Sequence, residues 1–501
     1  MILRSKLVLL IIVFSLSGLD GQVYYNKLFT FDGLHTQLAY NCAVKDDTIY
    51  ITGAGKLPPE SAQGIFYVEI TEDTIVQDLV YYEIDSSLLV MNVVEGNIFV
   101  DDNYVSAFKY GSNSYIYKVK DGSFHLLDTI YNEIDNSKNS VILGLNEYDS
   151  RVFINGNNDQ NIDGKFYSHP FIYELDDEEN KLQFIEYRAN TITQQIIPYS
   201  DSSYVLFRVF TNPTNVFSET WTQYTIIEER DKNGDYIRSW SSEQSDLLGK
   251  INSVYYHKES NSFYIAAQQV KSNNDQNNII DRACLYKFTF ENDLEWMVYP
   301  AGEDWDNQGA SKNSLNKVIL ANEEDAILVA GKNYSVDQDT IYQDGIISKY
   351  DFEGNNIWSK SYTVFDGGHE LNDIESYGND GYVAVGTLDW VNIPAPFVSS
   401  PTWVVKIDNK GEFDNTSSTY VTLKPIDIKV YPNPTHKTIH IDVPEEIATN
   451  CDYSIFDMNG NKIASWKNQS KMDITFLNKG FHFLTVRCND VALTTKFFVS
   501  R

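Results

Sequence analysis

A single strand pattern recurs along most of the chain and limits what it can fold into. An apolar run that ends in a small or polar residue begins at residues 49, 98, 152, 204, 264, 327 and 382, so successive starts lie 49 to 63 residues apart. Each run is followed by a polar segment and a second strand-like run, and helical periodicity is hard to find. Repeats of this length, each with about four short strands, are typical of β-propellers. The pattern therefore predicts an all-β chain whose body is a seven-bladed β-propeller.

Three repeats carry the same short turn sequence after their second strand. These segments read DKNG at 231–234, DFEG at 351–354 and DNKG at 408–411. Asp can accept hydrogen bonds from backbone N–H groups at the start of a turn, and Gly can adopt the positive φ that closes it. Because the sequence recurs at equivalent places, it predicts a structural turn and not a calcium site.

The N-terminal segment matches a segment of a late repeat. YYNKLFTFDG at 24–33 aligns without a gap with WSKSYTVFDG at 358–367. A propeller must close, and one terminus commonly supplies the last strand of the final blade. We therefore expect residues 23–30 to complete that blade and to cover an edge that would otherwise favour aggregation. The propeller is predicted to span residues 22–413.

The sequence YPNPT at 431–435 marks a change of domain. Proline lacks the N–H that a sheet ladder needs, so this segment cannot lie inside a central strand. It follows a Ser/Thr-rich stretch, and we predict a linker at 414–426. Six or seven short strand patterns then fill residues 427–501, which predicts a small, Ig-like β-sandwich.

Residues 427–501 also resemble a known family. The order Tyr-Pro-Asn-Pro, Asp-x-x-Gly, Gly-aromatic and a terminal Lys-Phe-Phe-Val is similar to the C-terminal sorting domain of type IX secretion cargo (the Por secretion tail family). The residues that carry this sorting motif are Tyr431, Pro432, Asn433, Pro434, Asp457, Gly460, Gly480 and Lys496. The resemblance implies delivery to the outer-membrane surface or the medium by the type IX machinery. The late propeller repeats at 325–411 resemble those of secreted bacterial propellers of unknown activity, which supplies no chemistry.

The other end of the chain fits the same route. Arg4 and Lys6 precede an apolar segment at 7–16 that is too short to span a bilayer, so residues 1–21 are predicted to be a signal peptide. The net charge of −31 lies mainly on the body, because the C-terminal domain is nearly neutral. Such a body would repel nucleic acid and anionic lipid. We expect an exported monomer without a transmembrane segment.

The four cysteines are too few for a disulfide scaffold. Cys451 and Cys488 both lie in the C-terminal domain, where they could form a disulfide in an oxidising compartment. Two separately buried thiols are an equally good interpretation.

Candidate chemistry in the body is sparse. Asp159, Asn161 and Asp163 alternate before Gly164, which resembles the first half of a calcium loop and suggests a structural calcium ion; a solvated polar loop is the alternative. No other cofactor is indicated. The pair His369-Glu370 could suggest an acid–base or metal site, but we interpret it as a repeat position near a blade connection.

No residue is assigned a catalytic role, because zinc-protease, P-loop, nucleophile-elbow and CxxC motifs are all missing from the sequence. The sequence favours a non-catalytic binding or adhesion module for a glycan or protein. The alternative is a glycan hydrolase, whose two carboxylates would come together only in space, in the central funnel. Trp221 and Trp403 lie near predicted loops, and we expect both to pack between blades.

Overall fold

The computed structural model contains strands throughout the part of the chain that it describes. It describes residues 25–500 except 32–35, 58–61, 72–74, 85–89, 92–97, 101–102, 111–112, 121–122, 131–138, 149–150, 163–164, 176–180, 185–187, 190, 212–222, 243–249, 274–277, 301–312, 338–339, 365–367, 380, 390–400, 414–419, 424–428, 444–450, 457–461 and 489–490. Among these residues, no helix has the length and hydrophobicity needed to span a lipid bilayer. The predicted signal peptide at 1–21 lies outside the described residues.

Up to residue 413, the described strands belong to six sheets. The largest sheet contains nine strands, and its two antiparallel halves are joined by a single parallel bridge between Gln343 and Gly368, so the strands can be described as seven successive groups. The first three are β2–β5 (Thr36–Lys45, Thr48–Leu57, Ala62–Thr71, Ile75–Ile84), β6–β10 (Val90–Met91, Ile98–Val100, Asn103–Tyr110, Asn113–Lys120, Ser123–Ile130) and β11–β15 (Asn139–Tyr148, Arg151–Ile162, Lys165–Leu175, Lys181–Phe184, Arg188–Ala189). The next three are β16–β19 (Thr191–Ser200, Ser203–Thr211, Gln223–Asp231, Tyr236–Ser241), β20–β23 (Ile251–His257, Ser262–Asn273, Asn278–Thr289, Asp293–Val298) and β24–β27 (Ser314–Leu320, Ala326–Asp337, Thr340–Asp351, Asn356–Tyr362). The last contains β28–β30 (Gly368–Tyr377, Gly381–Asp389, Thr402–Asp408) and β1 (Tyr25–Phe31).

The N-terminal strand lies at the outer edge of the last group. β1 pairs antiparallel with β30, from Tyr25 opposite Lys406 to Phe29 opposite Thr402. A further strand, β31 (Tyr420–Leu423), pairs in parallel with the other edge of β1. The segment predicted as a linker therefore contains a strand, because the unpaired backbone groups at the edge of β1 offer it hydrogen-bond partners.

The strands of one group pack face to face against those of the next. Side chains alternate between the two faces of a strand, so Val205 and Phe207 of β17 form a common core with Phe263 and Ile265 of β21. The first strands of successive groups contact one another, for example β24 with β20 and β28. Such radial packing of four-stranded sheets is a β-propeller, and the first strands lie closest to its axis. The fold class is as predicted, while the blade count of seven stays a prediction.

The recurrent Asp-x-x-Gly segments are structural turns, as predicted. The Asp231 carboxylate accepts hydrogen bonds from the backbone N–H groups of Asn233 (2.8 Å) and Asp235 (2.9 Å). Asp351 and Asp408 make the equivalent bonds. The last residue of each turn, such as Gly354 with φ +87°, needs the left-handed conformation that glycine adopts readily.

The C-terminal residues form two further sheets around a separate core. One sheet contains β32 (Lys429–Tyr431), β33 (Thr438–Asp442) and β36 (Lys471–Asp473). The other has the order β35 (Lys462–Lys467), β34 (Cys451–Phe456), β37 (Gly480–Cys488) and β38 (Val491–Val499). Ile439 and Ile441 of the first sheet pack against Leu484, Val486 and Phe497 of the second. This arrangement is the predicted small β-sandwich.

Candidate functional site

The first strands near the propeller axis share an irregularity that the sequence analysis did not identify. In six of the described groups, the register between the first and second strands shifts by one residue at an equivalent point, which defines a β-bulge. The bulged residues are Tyr40, Leu143, Gln194, Asn252, Asn316 and Asn372. Because a bulge re-aims a side chain, these positions can project away from their own sheet.

Three of the bulged residues make the same hydrogen bond to the neighbouring blade. In each case the side-chain amide donates to the carbonyl oxygen of the residue immediately before the next bulge. The bonds run from Asn252 Nδ2 to Leu315 O (2.6 Å), from Asn316 Nδ2 to Leu371 O (2.8 Å) and from Asn372 Nδ2 to Ala39 O (2.7 Å). The last of these joins the final blade to the first. We call this set the amide series.

A second hydrogen bond follows one residue later at two of these contacts. Ser253 Oγ accepts the backbone N–H of Val318 (3.1 Å), and Asp373 Oδ2 accepts that of Cys42 (2.9 Å). Asp373 is only 2% exposed, and its other oxygen, Oδ1, accepts the N–H of Ile374 (3.0 Å). Both oxygens of the Asp373 carboxylate therefore accept hydrogen bonds, and the bond from Cys42 joins the last blade to the first.

An ion cluster lies beside this contact. Lys317 Nζ is 3.1 Å from Asp373 Oδ1 and 3.7 Å from Glu375 Oε1. The Glu375 side chain is 34% exposed. Burial raises the pKa of Glu375 to about 7; the positive charge of Lys317 partly opposes this shift, and the negative charge of Asp373 adds to it. Glu375 can therefore exchange a proton near neutral pH.

His369 and Glu370, which are adjacent in the sequence, make separate structural contacts. His369 is buried, and its ring packs edge-on against Trp403, with the ring centroids 5.1 Å apart. Glu370 Oε2 lies 3.0 Å from Lys332 Nζ, and its Oε1 accepts from Asn316 Nδ2 at 2.9 Å. Burial opposes ionisation of Glu370, but Lys332 and the hydrogen bonds outweigh it, so the pKa is lowered. Glu370 is thus a paired carboxylate.

The described tryptophan near a predicted loop packs between strands, as expected. Trp403 is fully buried, and its Nε1 donates to Asn26 Oδ1 on the N-terminal strand (2.7 Å). Trp221 lies outside the described residues.

The residues predicted to bind calcium lie in and beside a long hairpin. Asp159 and Asn161 are in β12, opposite Ser168 and Phe166 of β13, and Asp163 lies outside the described residues. A regular ladder extends the chain, whereas a calcium loop wraps its ligands around the ion. Within the described residues, no three His, Cys, Asp or Glu side chains come together in a way that could hold a metal ion. Calcium at this hairpin stays a prediction.

The sorting motif of the C-terminal domain lies at an edge where its two sheets meet. Asn433 Oδ1 accepts the backbone N–H of Phe498 (2.9 Å), and its Nδ2 donates to Lys496 O (3.4 Å). Thr435 then bridges in parallel to Val499 on the last strand. The segment that contains Pro432 and Pro434 therefore connects the start of the domain to its last strand through hydrogen bonds. Asp457 and Gly460 lie outside the described residues.

Gly480 begins the strand that precedes the last one. Its φ of +139° is a backbone conformation that other residues rarely adopt.

Cys451 is disulfide-bonded, and its partner in the strand register is Cys488.

Comparison with known families identifies the C-terminal part of the chain. Residues 429–500 match the family described as the secretion system C-terminal sorting domain. This segment is a type IX sorting domain, and the protein is exported to the cell surface or beyond through that machinery. None of the curated proteins is significantly similar to the chain in sequence.

Solved β-propeller structures resemble the chain at low identity. An α-L-arabinanase from Penicillium chrysogenum, complexed with arabinobiose, is 9% identical with a TM-score of 0.39, over 78% of this chain and 99% of that one. The α-L-arabinofuranosidase ARB93A from Fusarium graminearum is 10% identical with a TM-score of 0.38, over 77% and 98%. The WD40 domain of SCAP from fission yeast is 9% identical with a TM-score of 0.30, over 76% and 97%. These similarities are too distant to transfer an activity.

Proposed function

We propose that the propeller is a non-catalytic binding or adhesion module for a glycan or protein, which the sorting domain delivers to the cell exterior. The observation that supports this proposal is that two carboxylates near the propeller axis, Asp373 and Glu370, are already paired with other groups of the protein. Both oxygens of Asp373 accept backbone hydrogen bonds, and one also pairs with Lys317. Glu370 is paired with Lys332 and Asn316. Carboxylates engaged in this way hold blades together and are not free to attack or protonate a substrate.

The ligand would bind at the end of the propeller that carries the long hairpins. β12–β13, β21–β22 and β25–β26 extend the second and third strands of their blades to 11 or 12 residues. At two of these tips the ladder continues into the polar residues. For example, Asp337 pairs with Thr340 across a two-residue connection. Paired strands lose less entropy on binding than flexible loops do, which suits a recognition surface.

A binding screen tests the proposal. The full chain would be applied to glycan and extracellular-protein arrays, with calcium and with EDTA, and hits would be checked for chemical change. We expect binding without turnover. Calcium-dependent binding that is lost in Asp159→Asn would support calcium at the β12 hairpin, whereas binding that is unchanged in EDTA would contradict it. Silence on both arrays would contradict the binding module.

A glycan hydrolase is the second candidate, and Glu375 is the observation that favours it. A carboxylic acid with a pKa of about 7 beside a second carboxylate is the combination that glycosidases use. Two contacts argue against this candidate. Lys317 forms ion pairs with both carboxylates, and Asp373 accepts a hydrogen bond from the backbone N–H of Cys42. If the protein cleaves a glycan, Glu375→Gln should abolish cleavage and preserve binding. Equal cleavage by the variant would exclude Glu375 as the acid.

A further inference from the structure

The outer strands of three successive blades contact the next blade from an equivalent position. In each case one residue lies opposite the third-strand residue that is two positions before the end of that strand. The three residues are Arg238 of β19, Trp296 of β23 and Trp358 of β27. Each reaches the turn that follows the third strand of the neighbouring blade. The register therefore allows a direct comparison of three junctions between blades.

Tryptophan closes two of these junctions. Trp296 Nε1 donates to the carbonyl oxygen of Phe352 (3.0 Å) in the next blade. Its ring also fills the space beside the turn, because a Cβ atom on Gly354 would lie only 2.8 Å from it. Trp358 makes the equivalent contacts with the turn of the last blade. At both junctions the single polar group of the side chain is used, which leaves no donor on it for a ligand.

Arginine takes this position where the fourth blade (β16–β19) meets the fifth (β20–β23). The guanidinium carbon of Arg238 lies 4.0 Å from the centroid of the Phe290 ring. Nε donates to Glu229 Oε2 (2.6 Å), and Nη2 lies 3.5 Å from the hydroxyl oxygen of Tyr199. Among the residues that the structure describes, Nη1 has no hydrogen-bond partner, and the side chain is 40% exposed. The guanidinium is thus held in place with donors that a ligand can reach.

Two partly exposed tyrosines lie beside this arginine. The hydroxyls of Tyr199 and Tyr256 both donate to Asn261 Oδ1, at 2.7 and 3.0 Å. Both rings stack on the buried ring of Phe263, with centroid separations of 5.6 and 4.8 Å. Asn261 Nδ2 donates to the exposed carboxylate of Glu291 (3.3 Å). These contacts join the residues into one surface.

We call this surface the junction site, and its members are Tyr199, Arg238, Tyr256, Asn261, Phe290 and Glu291. It lies at the turns that join the first to the second strand and the third to the fourth strand of these blades. The long hairpins join second to third strands, so they lie at the other end of the propeller. The junction site is therefore separate from the binding surface proposed above.

We propose that the junction site binds a neutral glycan. The C–H face of a sugar ring can pack on the tyrosine rings, and its hydroxyls can both accept from Arg238 and donate to Glu291. A carboxylated sugar fits less well, because Glu229 and Glu291 belong to the same network and the chain carries a net charge of −31. If the junction served packing alone, tryptophan at position 238 would close it, as it does in the next two blades.

Calorimetry on the full chain tests the proposal, with cellohexaose, xylohexaose and mannohexaose as neutral probes and hexagalacturonate as the carboxylated probe. Arg238→Trp copies the residue of the next two blades and removes the free donors. Ser239→Trp is the control, because Ser239 is exposed and adjacent on β19, where side chains alternate between faces. We expect a neutral probe to bind wild type, Arg238→Trp to weaken binding about tenfold or more, and Ser239→Trp to stay within about twofold.

Three results would overturn the proposal: no binding of any neutral probe, preference for hexagalacturonate, or equal binding by Arg238→Trp and wild type. Hydrogen–deuterium exchange of the wild-type chain keeps the test independent of how the variants fold. A saturating neutral probe should slow exchange in the turns at 257–262 and 289–293. Slower exchange only at the tips of the long hairpins would place the glycan at the other end of the propeller and contradict the assignment.

Discussion

Asn372 Nδ2 lies 2.7 Å from the carbonyl oxygen of Ala39, so a side chain of the last blade bonds the first strand of the first blade. The two residues are 333 positions apart in the sequence. Ala39 is fully buried, so its carbonyl would be left without this donor in a dry environment if Asn372 were truncated. Ring closure therefore depends on this contact as well as on the pairing of β1 with β30.

We expect Asn372→Ala to destabilise the protein by about 1–3 kcal/mol, the usual cost of leaving a buried polar group unsatisfied. Urea unfolding followed by tryptophan fluorescence would measure it. Asn356→Ala is the control, because Asn356 lies exposed on an outer strand. Equal midpoints for the two variants would show that the Asn372 contact does not stabilise the ring.

The sequence predicted the repeating strands, the Asp-x-x-Gly turns and the C-terminal sandwich, because each follows from a local pattern. The amide series was missed, since its bonds join residues of different blades. A signal was present: Asn252, Asn316 and Asn372 each follow an apolar residue early in a first strand. The segment around Asp159 was predicted to be a calcium loop or a solvated loop because its residues are polar, but Asp159 and Asn161 lie in a strand. Polarity indicates contact with water, and the backbone there still completes its hydrogen bonds by pairing.

The ion cluster predicts a pH dependence of stability. The pKa of Glu375 is raised from 4.5 to about 7 in the folded state, so the folded protein binds this proton more tightly than the unfolded chain does. Between these two values, stability should therefore fall as pH rises. Glu375→Gln should remove this part of the pH dependence. Thermal unfolding from pH 4 to 8 would test it, with Glu353→Gln on an exposed turn as the control.

The charged groups beside Glu375 are Lys317 and Asp373. A wild-type curve that matches that of Glu375→Gln across the whole pH range would contradict the raised pKa of Glu375 in the folded protein.

The strand β31 predicts a protective role for the segment before the sorting domain. Val421 lies opposite Phe29 of β1. Proline cannot continue a ladder, so Val421→Pro should expose the edge of β1. We expect faster amide exchange at residues 28–31 and more self-association, measured by hydrogen–deuterium exchange and light scattering. Val421→Ala keeps the backbone donor and should behave like wild type; unchanged exchange in the proline variant would argue against the pairing.

The disulfide at Cys451 predicts a redox-sensitive sorting domain. Closing a loop of the chain through this disulfide should stabilise the domain by about 2–4 kcal/mol. Dithiothreitol should therefore lower the unfolding temperature of the wild-type domain and leave Cys451→Ser unaffected. The buried thiols Cys42 and Cys284 give no such effect, because they are free. A wild-type chain insensitive to dithiothreitol would rule the bridge out as a stabilising element.

We propose that the exported propeller binds its ligand without changing it. The most direct measurement is mass spectrometry of a ligand from the array screen after prolonged incubation with the full chain at pH 5, 6 and 7, the range in which Glu375 changes its protonation. We expect an intact ligand at every pH and equal binding by wild type and Glu375→Gln. Cleavage by the wild type that disappears in Glu375→Gln would contradict it and make the protein a hydrolase.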